Sequence, residues 1–479
     1  MPVRTWLADL RSKLVVGVGP RDHGGLGILA FEAAATMSRL VSLHRTVSDV
    51  EVRRLRGDVL RAEGVARLTS ADQALLLRLA CGELLADLDR AADSVARLGA
   101  RCCAGAGDTP APLLRDFDRI YAEAKRSRLA QLDATVGFSR GATKRFREME
   151  RHVVVAAKLY AEMDALSELE ASQRRMEQWK QHSGPIPAQS LGTGKRSSAG
   201  EPGEKLMSKL RAQRHKVRRL TEGSLWNVAA GKAARLMAKS VLAVLARISL
   251  AFSASVPGLP PWTVGRAWAL GHSSGPLHRS ATPAALRHSA PIFGQKDAAS
   301  PLLESIKPSV SMVGGSSMEL RYANVILTAE TLLAALRPPA AGDSEEVQEG
   351  MIDLSTRDAL YKMLPVSIRE AMNTKLRERW GKGQPVDEVA AAESRDAVER
   401  LLRWLSPMAH DTLRWNDERS MERAQRFGMQ PRALMVQTLH FADRQKTDAA
   451  IVDVLIDLSC ICWYDDERRR LESHDWDAE

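Results

Sequence analysis

Residues 77–102, LRLACGELLADLDRAADSVARLGARC, carry apolar side chains at spacings that alternate between four and three residues. The apolar positions are Leu77, Cys81, Leu84, Leu88, Ala91, Val95, Leu98 and Cys102. An α-helix brings residues three and four apart onto one face, so this pattern predicts a long helix with a continuous packing seam. Similar spacing recurs at residues 146–163, 322–336 and 451–462. The sequence therefore predicts an all-α protein.

The overall composition also favours helices. Of the 479 residues, 44% are hydrophobic, 27% charged and only 5% aromatic, and Ala, Leu and Arg are abundant. Ala, Leu and Arg enter helices at little cost, whereas strands prefer β-branched and aromatic side chains. The net charge of +10 permits contact with nucleic acid or acidic membranes but does not specify either.

Stretches rich in Gly, Pro and Ser predict two helical-bundle domains joined by long flexible linkers. The predicted order is an N-terminal tail 1–23, an N-terminal helical domain 24–182, a flexible linker 183–204, basic and amphipathic helices 205–252, a disordered linker 253–313, a C-terminal helical domain 314–470 and an acidic tail 471–479. Serines at capping-box spacing predict helix starts within the two domains. These boxes are Ser48-x-x-Glu51, Ser70-x-x-Gln73 and Ser316-x-x-Glu319.

The cysteines and the apolar stretches predict a reduced, intracellular protein without a membrane span. Five cysteines, at 81, 102, 103, 460 and 462, show neither a disulfide framework nor zinc-ligand spacing, and we expect them in apolar cores. The longest uncharged run, 248–265, is interrupted by prolines, so no transmembrane segment is expected. Pro2 stands where N-myristoylation needs glycine, so no N-myristoylation is expected.

Two motifs could indicate an enzyme. His410-Asp411 matches the doublet of metal-dependent hydrolases, but adjacent helical positions point about 100° apart, so the pair needs distant partners that the sequence does not supply. The stretch GLGILA, 25–30, followed by Asp49, fits a dinucleotide-binding pattern, but no strand immediately precedes it and no βαβ alternation follows. We therefore predict no enzymatic activity, no catalytic residues, no metal and no cofactor.

A basic run, KLMSKLRAQRHKVRRL at 205–220, is the strongest local signal for binding. Its cations are Lys205, Lys209, Arg211, Arg214, Lys216, Arg218 and Arg219. Such a run can be a solvated helix face, or it can bind an import receptor, nucleic acid or anionic lipid. Since no aromatic residue interleaves with the charges, base stacking is not expected, and nuclear import or electrostatic docking is favoured.

Six blocks resemble, in order, the plant phytosulfokine-simulator family, whose members carry an amino-terminal and a carboxy-terminal domain of unknown function. The blocks are GILAFEAAATMSRLVSLHRTVSD (27–49), SLWNVAAGKAARLMAKSV (224–241), LRYANVILTAETLL (320–333), LYKMLPVSIREAM (360–372), LSPMAHDTLRWNDERS (405–420) and LMVQTLHFADRQKTDAAIVDVLIDLSCIC (434–462).

The resemblance implies a non-enzymatic, growth-promoting regulatory or scaffold protein linked to the phytosulfokine peptide hormone, with other proteins of that pathway as partners. It also implies a nuclear location, with the cytoplasm or the inner face of the plasma membrane as the alternative. The family supplies no catalytic residues to carry over. From the residues alone, the alternative function is a peripheral membrane or nucleic-acid binder that acts through the basic segment 205–219.

Overall fold

The computed structural model of the chain describes residues 26–104, 112–182, 202–260, 262, 307–336, 354–381, 386–419 and 427–476. Within these ranges the regular structure is helical, apart from isolated bridge residues: Ala229, and Met312 with Asp443 in an antiparallel bridge. The predicted all-α class is confirmed. The predicted tail 1–23 and most of the predicted linkers 183–204 and 253–313 lie outside the described residues.

The described residues contain fifteen α-helices. The first ten are α1 (Leu29–Thr46), α2 (Asp49–Arg54), α3 (Glu63–Leu68), α4 (Gln73–Ala104), α5 (Pro112–Arg115), α6 (Phe117–Glu123), α7 (Leu129–Val136), α8 (Ala142–His182), α9 (Pro202–Glu222) and α10 (Ala230–Phe252). The next five are α11 (Glu319–Ala335), α12 (Leu354–Met363), α13 (Val366–Trp380), α14 (Glu388–Arg419) and α15 (Arg444–Trp476). π-Helical turns occupy Leu55–Val59 and Ala124–Arg128, and short 3₁₀ turns occupy Leu225–Asn227, Gly314–Ser316, Met435–Gln437 and Leu439–Phe441.

The predicted packing seams are buried. In α4, every described seam side chain from Leu77 to Leu98 is buried, and Cys81 and Leu88 are fully so. In α8, Phe146, Met149 and Val153 are buried in the same way. The burial of one continuous stripe removes apolar surface from water at roughly 25 cal/mol per Å², which drives these helices to pack.

Only one of the three serines predicted to cap a helix does so. Ser48 caps α2, because its side chain accepts a hydrogen bond from the amide of Glu51 (3.4 Å). At α4 the cap is Asp72, whose carboxylate accepts from the amide of Ala74 (2.8 Å), so the prediction for Ser70 is wrong. Ser316 is also not a cap, because the left-handed residue Ser317 (φ 53°) separates it from α11.

Close contacts divide the residues into two compact units, each built from segments that are distant along the chain. The first unit comprises Met1–Arg45, Leu88–Arg247 and Arg426–Gln430, and the second comprises Thr46–Asp87, Ile248–Gln425 and Pro431–Glu479. The domain boundaries predicted from the sequence, which assume contiguous domains, remain a prediction.

In the first unit, α1 packs against α8 and α9 through aromatic side chains. Phe31 meets Tyr160 edge to face with ring centroids 5.4 Å apart, and Val217 of α9 belongs to the same buried cluster. Phe427 contacts Tyr160 from the far end of the sequence, with centroids 6.0 Å apart. Ser38 of α1 donates a hydrogen bond to the Gly428 carbonyl (2.6 Å), which anchors that short segment on α1.

In the second unit, α14 packs against α11, α15 and α3. Thr412 lies at the centre of this packing: its hydroxyl donates to the Met408 carbonyl (2.7 Å) and accepts from the amide of Leu439 (3.0 Å). Gly64 of α3 approaches α14 so closely that an added Cβ would lie 2.5 Å from the carbonyl oxygen of Trp404. Small size at this one position therefore permits the contact between α3 and α14.

Candidate functional site

The predicted basic patch forms the solvent-facing side of α9. The apolar side chains Leu210 and Val217 are buried on the opposite side of the helix, and α9 packs along α8. Acidic side chains of α8 hold two of the cations: Lys216 pairs with Glu162 (2.7 Å) and Arg214 pairs with Glu170 (3.0 Å). Hydrogen bonds from Lys216 and Gln213 lower the pKa of Glu162.

All seven predicted cations are exposed, and we call them together the basic surface. They are Lys205, Lys209, Arg211, Arg214, Lys216, Arg218 and Arg219. Arg218 has a partner on its own helix, Glu222, at 3.5 Å. Among the described residues, Lys205, Lys209, Arg211 and Arg219 have no ion-pair partner. This surface can therefore present several uncompensated positive charges to an anionic partner.

The His410-Asp411 doublet does not form a joint site. The His410 ring nitrogen Nε2 lies 3.1 Å from a carboxylate oxygen of Glu330 on α11, and both side chains are well exposed. Asp411 instead lies in a cleft beside Gln437, and burial raises the pKa of its carboxyl group. The helix sends the two side chains to different partners, as expected for adjacent positions.

The glycine loop before α1 has its amides already engaged. The backbone N–H of Leu26 donates to the Val228 carbonyl (3.2 Å), and that of Gly27 donates to the Trp226 carbonyl (3.0 Å). A phosphate-binding loop needs free amides at a helix N-terminus after a strand, and the described residues around this loop contain no strand. The loop does not have the geometry of a dinucleotide site.

Three cysteines have described side chains. Cys81 and Cys460 are buried, and burial raises the pKa of the Cys81 thiol to about 12. Burial raises the pKa of Cys460 and Cys462 as well, although Arg379 acts on Cys460 and Arg357 on Cys462 in the opposite direction. A thiol that stays protonated is a poor nucleophile and a poor metal ligand, and Cys81 packs in the α4 seam as a small hydrophobic residue.

Sequence reasoning missed a buried charge cluster in the second unit, formed by Glu83, Asp87, Arg419 and Arg432. Glu83 accepts hydrogen bonds from Arg419, from the Trp415 indole (3.1 Å) and from the amide of Met435 (2.6 Å). Asp87 lies 3.2 Å from Arg432 and 3.7 Å from Arg419. The signal that could have revealed it is the pair Glu83 and Asp87, four residues apart beside the α4 seam, where only a partnered charge is tolerated.

Burial dominates the electrostatics of this cluster. It raises the pKa of Glu83, against the opposing effects of Arg419 and the Met435 amide. It also lowers the pKa of Arg432 to about 10, with Arg419 acting in the same direction. Every carboxylate of the cluster is paired, so its role is to fix the chain around residue 435 to α4 and α14.

The part of the chain that the structure describes contains no group of three His, Cys, Asp or Glu side chains able to hold a metal ion. It also contains no helix that combines the length and the apolar character needed to cross a membrane.

Two family models match the chain. Residues 28–84 match a domain of unknown function, DUF3475, and residues 312–414 match a protein family of unknown function, DUF668. The chain, helical in its described residues, thus carries a segment similar to DUF3475 followed by a segment similar to DUF668.

Three curated relatives come from Arabidopsis thaliana. The chain is 27% identical to Protein PSK SIMULATOR 1 over 441 residues, which cover 90% of this chain and 55% of the relative. It is 26% identical to Protein PSK SIMULATOR 3, with the same coverage, and 22% identical to Protein PSK SIMULATOR 2 over 92% of this chain and 60% of the relative. The chain thus spans little more than half the length of these relatives. No solved structure matches it. The predicted resemblance to the phytosulfokine-simulator family is confirmed.

Proposed function

We propose that this protein is a non-enzymatic, growth-promoting regulator in plants that acts as a scaffold in phytosulfokine (PSK) signalling. The similarity to three PSK simulator proteins along nine-tenths of the chain supports the link to PSK. Its two domain matches are of families without an assigned reaction. A scaffold needs rigid helical units with exposed charged faces, and this description fits α8 and α9.

The observation that carries the proposal is the basic surface on α9. Its cations project from a helix whose apolar side is held on α8, so the charges are displayed on a rigid support. A partner with an acidic face would gain long-range attraction and a faster association rate from this arrangement. An import receptor is one such partner, which leads to a nuclear location.

The first test is the nuclear fraction of the fluorescently tagged full chain in plant cells. The variant Lys209→Gln, Arg211→Gln, Arg219→Gln removes cations that have no partner on α8, so the packing of α9 is preserved. The control Lys144→Gln, Arg147→Gln, Arg151→Gln removes the same charge from exposed positions of α8. We expect nuclear signal for the native chain and the control, and its loss in the α9 variant.

Two other outcomes would contradict nuclear import through the basic surface. If the native chain stays in the cytosol or at the plasma membrane, the scaffold acts there. If the control loses nuclear signal as strongly as the α9 variant, overall charge and not the α9 surface is responsible.

The same exposed cations also favour a second candidate function, a peripheral membrane or nucleic-acid binder that acts through residues 205–219. Binding to anionic vesicles or to duplex DNA would then weaken steeply as salt is raised, because each neutralised phosphate releases counterions. The α9 variant would lose this binding and the control would keep it. Salt-insensitive binding of a protein partner would count against this alternative.

The non-enzymatic part of the proposal has its own test. The purified full chain is offered phosphoesters and nucleotides, and turnover is compared with that of His410→Ala. We expect no turnover in either. Specific turnover that His410→Ala abolishes would overturn the scaffold proposal.

A further inference from the structure

A cleft of about 250 Å³ opens in the second unit, beside the helix that carries the His410-Asp411 doublet. One wall comes from Arg54 to Val65, inside the DUF3475 match, and the other from Arg403 to Asp411, inside the DUF668 match. Both matched segments are therefore needed to build it. Sites for cofactors and drug-sized ligands usually occupy about 300–1,000 Å³, so this cleft has the size for one or two side chains.

The walls of the cleft combine an apolar surface with hydrogen-bond acceptors. Trp404, Pro407 and Met408 supply the apolar part. Pro407 lies inside α14 and has no N–H, so the carbonyl of Arg403 lacks its usual helical donor four residues later. Since Arg403 and Pro407 both line the cleft, this carbonyl is an acceptor at its wall.

The charges that line the cleft leave an excess of negative groups. Arg54 is paired with Glu51 (3.3 Å) and Glu63 with Arg67 (2.7 Å), so these two lining charges are compensated. Among the described residues, Asp58, Asp411 and Arg403 make no salt bridge, although Arg414 and Arg54 attract the Asp411 carboxylate. The lining as a whole carries three carboxylates and two arginines, which leaves one negative charge in excess: Asp58, Glu63 and Asp411 against Arg54 and Arg403.

Asp411 is the partly buried acceptor of the cleft. Burial raises the pKa of its carboxyl group, and the side chain of Gln437, which also lines the cleft, acts on that pKa in the opposite direction. A partly desolvated carboxylate gains more from a cationic partner than an exposed one does, because water screens the attraction less.

We infer that this cleft binds a lysine or arginine side chain presented by a partner protein. The aliphatic part of such a side chain packs on Pro407 and Met408, as long basic side chains do on apolar surface. It lies beside Trp404, whose ring is already covered by the Arg67 guanidinium (5.4 Å to the ring centroid). Its charged end reaches Asp411 and Asp58. A divalent metal fits less well, because it prefers six or more oxygen ligands and the lining supplies few unpaired ones. The inference does not depend on the basic surface, which carries the opposite charge on the other unit.

The test uses the full chain labelled with 5-fluorotryptophan and followed by ¹⁹F NMR. The Trp404 resonance is assigned by Trp404→Phe. The probes are N-acetyl-arginine amide, N-acetyl-lysine amide, the neutral N-acetyl-citrulline amide and the acidic N-acetyl-glutamate amide. We expect the two basic probes to shift the Trp404 signal saturably at millimolar concentration, and citrulline to bind about 5-fold or more weakly, since a charged hydrogen bond is lost.

Matched variants locate the binding. Asp411→Asn preserves the shape of the side chain and should weaken binding of the arginine probe by about 5-fold or more. Asp396→Asn, at an exposed position on the same helix, should leave the affinity unchanged. Near-ultraviolet circular dichroism reports whether Asp411→Asn perturbs folding. If it does, Asp58→Asn on the exposed rim serves as the second variant, and it should also lower the affinity for the arginine probe.

Several results would overturn the inference. These are equal binding of citrulline, preferred binding of the glutamate probe, no saturable shift of Trp404, or an equal loss of affinity in Asp396→Asn. Each of them leaves the test of the basic surface unaffected, because that test reads nuclear location and alters only α8 or α9.

Discussion

His44 shows how one partly buried side chain makes a unit sensitive to acid. It lies on α1 and stacks on Phe146 of α8, with ring centroids 3.8 Å apart and planes 18° from parallel. Burial, with Arg247 and Arg45, lowers the pKa of His44 to about 4, from the ordinary value of 6.5. The neutral imidazole is therefore the form that the packing accepts.

We predict that the first unit loses stability through His44 between pH 6.5 and pH 4. Above pH 6.5 His44 is neutral in both states, so its contribution is fully present. As the pH falls toward 4, the unfolded chain binds the proton first, which costs about 2–3 kcal/mol of unfolding free energy. His44→Phe keeps the stack and removes the titration, so urea unfolding should depend less on pH over this range.

The matched control for this prediction is His215→Phe, at an exposed position on α9. It should leave the pH dependence of unfolding as in the native chain. Equal pH dependence in the native chain and His44→Phe would show that His44 is not the titrating group.

At the scale of the helix, the buried charge cluster sets how α4 and α14 are joined in the second unit. Glu83 of α4 receives Arg419 and Trp415 of α14 on one oxygen and the Met435 amide on the other. Removal of one member of a buried ion pair leaves the other charge without compensation, which is much more costly than loss of an exposed pair.

We predict that Glu83→Gln lowers the unfolding free energy of the second unit by about 3 kcal/mol, because Arg419 stays buried while its charge loses a partner. The matched control is Glu63→Gln on α3, whose exposed pair with Arg67 should contribute about 0.5 kcal/mol or less. Urea unfolding curves of the two variants give the comparison. Equal effects would show that the buried pair adds no more than the exposed one.

At the scale of the whole molecule, the second unit is built from sequence segments that lie far apart. Its early segment, Thr46–Asp87, carries the carboxylates of the buried charge cluster, while both arginines come from the late segments. The amide of Asp443 also donates to the Leu68 carbonyl (2.7 Å). The late segments therefore have polar groups that only the early segment satisfies.

We predict that a fragment of residues 307–479, which includes the predicted C-terminal domain, does not fold cooperatively by itself. Arg419 and Arg432 would lose both carboxylates and would have to stay hydrated. Co-expression of residues 26–104 as a second chain should restore protease resistance, and Glu83→Lys in that chain should prevent the rescue. Full protease resistance of the fragment alone would contradict this account of the unit.

The sequence by itself determined the helices. Side chains three and four residues apart share a helical face whatever lies elsewhere in the chain. The packing seams that begin at Leu77 and at Phe146 could therefore be predicted from the sequence alone. Local rules also placed the seven cations on one helix and separated His410 from Asp411. The capping residues were harder to predict. At α4, Asp72 is closer to the start of the helix than Ser70 and offers a charged acceptor.

Only the tertiary structure decided which distant residues meet. Glu83 and Arg419 are separated by more than 300 positions, as are Gly64 and Trp404, and periodicity within a helix carries no information about such pairs. The exposure of Arg219 and the pairing of Lys216 likewise depend on where α8 lies. Gly64 lets α3 approach α14 closely, and the cleft around Asp411 lies beside that contact. Packing of this kind depends on the shapes of both surfaces in contact, whereas one sequence segment specifies only its own surface.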